Sequence, residues 1–177
     1  MRIVKKMLVL LLALVVILLI VALFVKKDYS IQREVSINKP KTAVFDYIKY
    51  LKNQNQFSKW ARMDPNMKKD FTGTDASVGF ISMWEGNGDV GKGEQEIKTI
   101  TAGESVAYEI RFIKPWKSVA QSKMSTQEIP DNQTKVKWSF SGRMPYPFNL
   151  MRLFVIEKMI GNDLQSGLDT LKAILEK

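Results

Sequence analysis

The sequence contains no cysteine and no histidine. The first absence excludes disulfides, a thiolate nucleophile and any cysteine-ligated metal. The second removes the usual general base, the usual zinc ligands and every Ser-His-Asp arrangement. Chemistry in this chain would have to come from Asp, Glu, Lys, Tyr, Ser or the backbone. No metal and no cofactor is expected from such an inventory. Internal repeats and low-complexity tracts are also missing. What is present is ordinary for a globular domain: 45% hydrophobic and 25% charged residues in a chain of 177, enough for one domain with a small addition.

The net charge of +9 invites a nucleic-acid reading, but its placement argues against one. Residues 1–27 hold Arg2, Lys5, Lys6, Lys26 and Lys27 and no acid, so more than half of the excess brackets a single apolar run. That is how a membrane segment is flanked, and it is not a nucleic-acid stripe. The run itself, Met7 to Val25, is nineteen residues without a polar side chain, glycine or proline. As a helix at about 1.5 Å per residue it matches the roughly 30 Å hydrocarbon core of a bilayer. It is longer than the h-region of a signal peptide and ends in Leu-Phe-Val-Lys-Lys rather than a small-x-small site, so it reads as a retained anchor. The division is therefore an anchor over 1–27 and a domain over 28–177. A long following domain crosses a membrane regardless of its charge, and the reading places that domain outside the cytoplasm.

After the anchor, Ile31, Arg33, Val35 and Ile37 alternate with polar residues and predict a strand. Asn38 is the expected cap and Pro40 the first turn of a helix carrying Val44, Ile48 and Leu51. A short helix is expected near Phe57 to Trp60 and a strand near Lys68 to Phe71. From Val78 to Met144 the pattern is β: 78–85, 91–101, 104–113, 117–129 and 134–144. Short connectors between consecutive strands imply an antiparallel meander. The C-terminal stretch from Pro147 predicts one long helix, with Leu153, Ile156, Ile160, Leu164, Gly167, Leu171 and Ile174 on one face. Gly161 and Gly167 inside it suggest close contact or a bend.

The stretch WEGNGDVGKGEQEI, residues 84–97, spells Gly-x-Gly-x-x-Gly. A dinucleotide site requires a helix after these glycines. Here "KGEQEIKTIT" follows, with β-branched residues and no helical stripe. Asn87-Gly88 reads instead as a hairpin turn, with Gly91 and Gly93 at a bulge or kink in the returning strand.

The order of strand, helix, short helix, meander and long C-terminal helix resembles the START-like, or SRPBCC, superfamily and its polyketide cyclase/dehydrase branch. "REVSINKPKTAVFDYI", "FSKWARMDP", "SVGFISMWEGN", "GKGEQEI", "YEIRFIKP", "TKVKWSFSG" and "GLDTLKAILEK" carry the resemblance across Tyr29 to Lys177. It implies an α+β helix-grip fold, a curved antiparallel sheet wrapped around the long helix, with a cavity between them for a hydrophobic small molecule or lipid. It transfers no catalytic residue. By alternation Tyr108, Phe112, Trp138 and Phe140 face inward, Leu153, Ile156 and Ile160 come from the helix, and Trp60 and Trp84 reach the rim. Each is also an ordinary core residue; together they suggest a cavity wall. Arg33 lies on the apolar face, with Glu157 as a candidate partner or a route out by snorkelling. "KPWKS" (114–118) and "PYPFNLMRLF" (145–154) combine aromatics with Lys or Arg, as interfacial segments do. The expected partners are the lipid bilayer and an apolar ligand, with no nucleic acid. A cyclase or dehydratase using Tyr108 as a donor, and a pocketless protein-interaction domain, are the alternatives.

Overall fold

The computed structural model describes residues 2–177. The apolar run forms α1 (Arg2–Phe24), in which Ala22 is the only buried residue. It is long and apolar enough to cross a membrane by length and composition. A short link leads into β1 (Asp28–Ile37), then α2 (Lys41–Ile48), which buries Val44, Phe45 and Ile48. Pro40, not Asn38, occupies the cap position of α2 and offers no side-chain bond. The Asn38 N–H instead donates to Glu176 at 2.6 Å, tying the end of β1 to the end of the chain. The short helix expected near residues 57–60 is two single turns, α3 (Gln54–Phe57) and α4 (Lys59–Arg62), separated where Ser58 turns extended.

Six further strands follow: β2 (Lys68–Thr72), β3 (Ile81–Glu85), β4 (Lys92–Thr101), β5 (Ser105–Lys114), β6 (Ser118–Ile129) and β7 (Gln133–Arg143). All pair antiparallel in one sheet of order β1-β7-β6-β5-β4-β3-β2. Short loops make each strand the neighbour of the next, and β1 closes the far edge against β7. The glycine-rich stretch is a hairpin loop between β3 and β4, longer than two residues. Gly86 and Gly91 close it through a 2.8 Å backbone bond, and the Asn87 side chain accepts from the N–H groups of Asp89 and Val90. Gly93 leaves room for the Trp84 ring, because a Cβ there would lie 2.5 Å from it. The bulge at this point is in β5: Lys92 pairs with Lys114 and Gly93 with Phe112, which leaves Ile113 as the extra residue.

The last segment is not one uniform helix. A 3-10 turn (Phe148–Leu150) and a π turn (Arg152–Ile156) precede α5 (Glu157–Leu175). A π turn inserts about one residue into the helical repeat, so the stripe counted back from Ile160 loses phase. Ile156 is buried, but Leu153 is 51% exposed. The helix glycines are sites of close approach. The Arg33 guanidinium lies over Gly161, and the Trp138 ring lies 2.6 Å from where a Gly167 Cβ would stand. Arg33 thus leaves the apolar face along α5, within 4.0 Å of Glu157.

The core is fullest at one end of the sheet. There Ile37, Ile48, Val106, Val136, Leu168 and Leu171 are fully buried. At the other end lie the start of β1, the end of β7, the β5–β6 loop and the β3–β4 loop, as the strand registers require. α1 joins the domain at this second end.

Candidate functional site

Between the sheet and α5 lies a half-open cavity of about 390 Å³, within the roughly 300–1,000 Å³ of small-molecule sites. Its origin is visible in β6. The inward positions nearest α1 are Ser118, Ala120 and Ser122, and a side chain as long as Met124 comes only below them. Small residues opposite a helix leave volume unfilled.

The surrounding elements supply larger walls. β5 contributes Ile110 and Phe112, β7 contributes Trp138 and Phe140, and the π turn and α5 contribute Ile156, Met159 and Ile160. The α3–α4 segment covers one side with Gln54, Ser58 and Trp60. That cover is fastened to α5 by Lys59 Nζ to Asp163 at 2.5 Å and by Arg62 to Thr170 at 3.1 Å. Trp60 packs edge-on to Trp138 at 6.4 Å and beside Phe140 at 6.2 Å. Trp84 meets Phe112 edge-on at 6.0 Å over Gly93, side by side on the sheet wall. Both geometries are favourable for aromatic pairs.

Of the nine residues singled out in the sequence, Trp60, Trp84, Phe112, Trp138, Phe140, Ile156 and Ile160 line this one cavity, and Tyr108 and Leu153 do not. Leu153 turns outward at the π turn. Tyr108 shares its face with Ile110 and Phe112 but lies deeper, fully buried behind the cavity floor, where its hydroxyl donates to the Ile48 carbonyl at 3.4 Å. Burial pushes its hydroxyl above the ordinary phenol range, and the Gln54 amide offsets only part of that rise. A phenol so placed does not meet a guest in the cavity.

Polar groups that the sequence patterns did not disclose lie in the wall. Trp138 Nε1 donates to Ser122 Oγ at 3.0 Å, and Ser122 Oγ donates to the Ser139 carbonyl at 3.0 Å. Gln95 donates to Gln54 Oε1 at 3.3 Å, while Gln54 Nε2 is buried without a hydrogen-bond partner. The same amide acts on the buried Tyr108 hydroxyl, whose ionisation it eases. At the mouth stand Lys69, Lys114 and Trp116. Tyr29, raised above the usual phenol range by burial, stacks on Phe140 at 6.3 Å. Among the described residues no three carboxylates converge to hold a metal ion.

A curved antiparallel sheet gripping one long helix over a sheltered, mostly apolar cavity defines a helix-grip architecture. The chain belongs to the polyketide cyclase/dehydrase and lipid transport family, whose model matches residues 28–176. Solved structures share the fold at low identity. Hypothetical protein jhp0584 from Helicobacter pylori is 12% identical, with a TM-score of 0.63 over 84% of this chain and 88% of that one. Protein CV1439 from Chromobacterium violaceum is 12% identical, with a TM-score of 0.59 over 84% and 97%. A Nitrosospira multiformis protein is 16% identical, with a TM-score of 0.59 over 83% and 96%. No curated protein matches the chain in sequence.

Proposed function

We propose that this chain is a membrane-tethered domain that holds one apolar chain-like molecule, such as an acyl or isoprenoid chain, between the sheet and α5. The observation that carries the proposal is the half-open cavity of about 390 Å³ walled by Trp60, Phe112, Trp138 and Phe140. At about 30 Å³ per water-sized group, it takes on the order of a dozen such groups. That suits a single chain and not a whole two-chain phospholipid. The placement of Tyr108 leaves the donor proposed for a cyclase or dehydratase without access to a substrate.

Retention of α1 as the tether is supported by Asn149. Its side chain is fully buried, and its amide donates to the carbonyls of Ala22 at 2.7 Å and Val25 at 2.8 Å. A helix end whose carbonyls are met by a buried side chain of the domain is built into the fold. A cleaved leader has no need of such a contact.

The test is organic extraction and mass spectrometry of the full chain purified from membranes, compared with Ile110→Trp. Indole bulk at the floor should reduce co-purified apolar ligand about tenfold or more, which corresponds to about 1.4 kcal/mol, while circular dichroism stays unchanged. A wild-type chain that carries no apolar ligand, and takes up none from a panel of fluorescent fatty acids and isoprenoids, would overturn the proposal.

A further inference from the structure

The contact that holds α1 also fixes where the cavity faces. Asn149 bonds the last turn of α1, and the Met144 N–H donates to the Lys27 carbonyl at 2.9 Å. Two short attachments either side of a three-residue link leave little freedom to swing. The strand registers put the start of β1, the end of β7 and the β5–β6 loop at this same end. The cavity mouth, with Lys114, Pro115, Trp116, Ser118 and Met159 in its wall, therefore lies beside the point where α1 meets the domain.

Around that mouth apolar side chains are left in the open. Trp116 is 75% exposed and Phe148 61%, and Tyr146, Met151, Leu153 and Met159 are each at least 40% exposed. Large apolar side chains left exposed together at one end of a domain mark a contact site. The basic residues Lys26, Lys27, Lys114, Lys117, Arg152 and Lys158 stand among them, against Asp28, Asp89 and Glu157. Glu85, at the same end, is engaged by Lys92 at 2.8 Å and by Lys114 at 3.7 Å, so the excess of basic charge rests on the others. Aromatics and Met beside Lys and Arg are the composition of a bilayer-interface belt, with an electrostatic preference for anionic lipid.

Resting on the reading of α1 as an anchor, we infer that the mouth of the cavity is seated on the anionic surface of the bilayer that α1 crosses. A guest then passes between membrane and cavity without entering bulk water. The rim is the docking surface, the bilayer is its occupant, and Asn149 sets the angle at which the two meet.

The absence of native cysteine makes single-cysteine labelling clean. The full chain is reconstituted in vesicles of phosphatidylcholine with phosphatidylglycerol, with one environment-sensitive fluorophore at position 14, 116, 148 or 131, and quenched by nitroxide-bearing lipid. Strong quenching is expected at 14, in α1, and at 116 and 148, on the rim. None is expected at 131, in the turn at the opposite end of the sheet. Replacing phosphatidylglycerol by neutral lipid should weaken the signal at 116 and leave that at 14 unchanged. Quenching at 14 with water-accessible labels at 116 and 148 overturns the docking and leaves the anchor standing. No quenching at 14 overturns both. An equal signal at 116 in neutral and anionic vesicles overturns the electrostatic preference.

Discussion

Gly167→Ala separates tertiary packing from helix propensity, because the two predict opposite signs. Gly167 lies inside α5, and alanine in place of glycine in a helix interior gains about 1 kcal/mol. The new Cβ would stand 2.6 Å from Trp138 Cζ3, whereas ordinary contact begins at 3.4 Å, so the ring must retreat by about 0.8 Å. It has little freedom to do so. Trp138 is 3% exposed, its Nε1 is held by Ser122 at 3.0 Å, and Phe57 packs edge-on at 5.6 Å. Overpacking of this kind costs about 1–3 kcal/mol, which leaves a net loss of about 1 kcal/mol after the propensity gain. Urea unfolding of the full chain in detergent micelles, followed by far-ultraviolet circular dichroism, measures it. The same substitution in a Trp138→Phe background meets a smaller ring and should become stabilising. The coupling across the cycle is then about 1–3 kcal/mol, in the range found for residues in contact. A Gly167→Ala chain more stable than wild type, or an equal effect in both backgrounds, would refute the reasoning.

Two further outcomes follow from the same geometry. Tyr108→Phe removes a hydroxyl whose one protein bond is 3.4 Å long, so it should cost no more than about 1 kcal/mol and leave ligand uptake intact. Because burial raises the Tyr108 hydroxyl, stability referable to it is complete below the unfolded phenol value of about 10 and declines at higher pH. The variant should flatten that alkaline decline in urea titrations. On the outer sheet face Arg111 binds Glu94 at 2.6 Å, Glu96 at 2.7 Å and Glu109 at 2.6 Å. Its guanidinium holds Glu96 and Glu109 below the usual carboxylate range, with Lys98 adding to Glu96. Their stabilisation is complete above the unfolded carboxylate value of about 4.3 and fades as pH falls through the lower folded values. Arg111→Met should therefore give a shallower acid limb in Tm against pH, and an unchanged limb would count against the cluster.

The strands were legible because their two faces differ. Val106, Tyr108, Ile110 and Phe112 on β5, and Val136, Trp138 and Phe140 on β7, announce an inward face by period 2 alone. Alternation gives the face and not the depth. Tyr108 and Phe112 look equivalent in sequence, yet two steps along β5 separate the sealed core from the cavity mouth. Helical phase has a comparable blind spot: one π turn was enough to turn Leu153 outward. The polar part of the wall carried no sequence signal. Gln54 and Gln95 meet across 41 positions, and Gln54 lies in the polar run "KNQNQF", where nothing marks one amide as inward. Asn149 is a harder case, since its partners are 127 and 124 positions away. The row of small residues on β6 is a sequence signal that indicates missing volume more directly than the aromatics do.

Ser118, Ala120 and Ser122 do not hold the sheet together through their side-chain bulk; they act as a gauge. Exchanging Ser118 or Ala120 for valine or leucine would shorten the room from one wall, while Ser122 keeps its bond to the Trp138 ring and with it the grip of sheet on helix. The capacity of the chamber is thus adjustable along a single strand, so molecules of different length can be matched by the same scaffold with hardly any redesign.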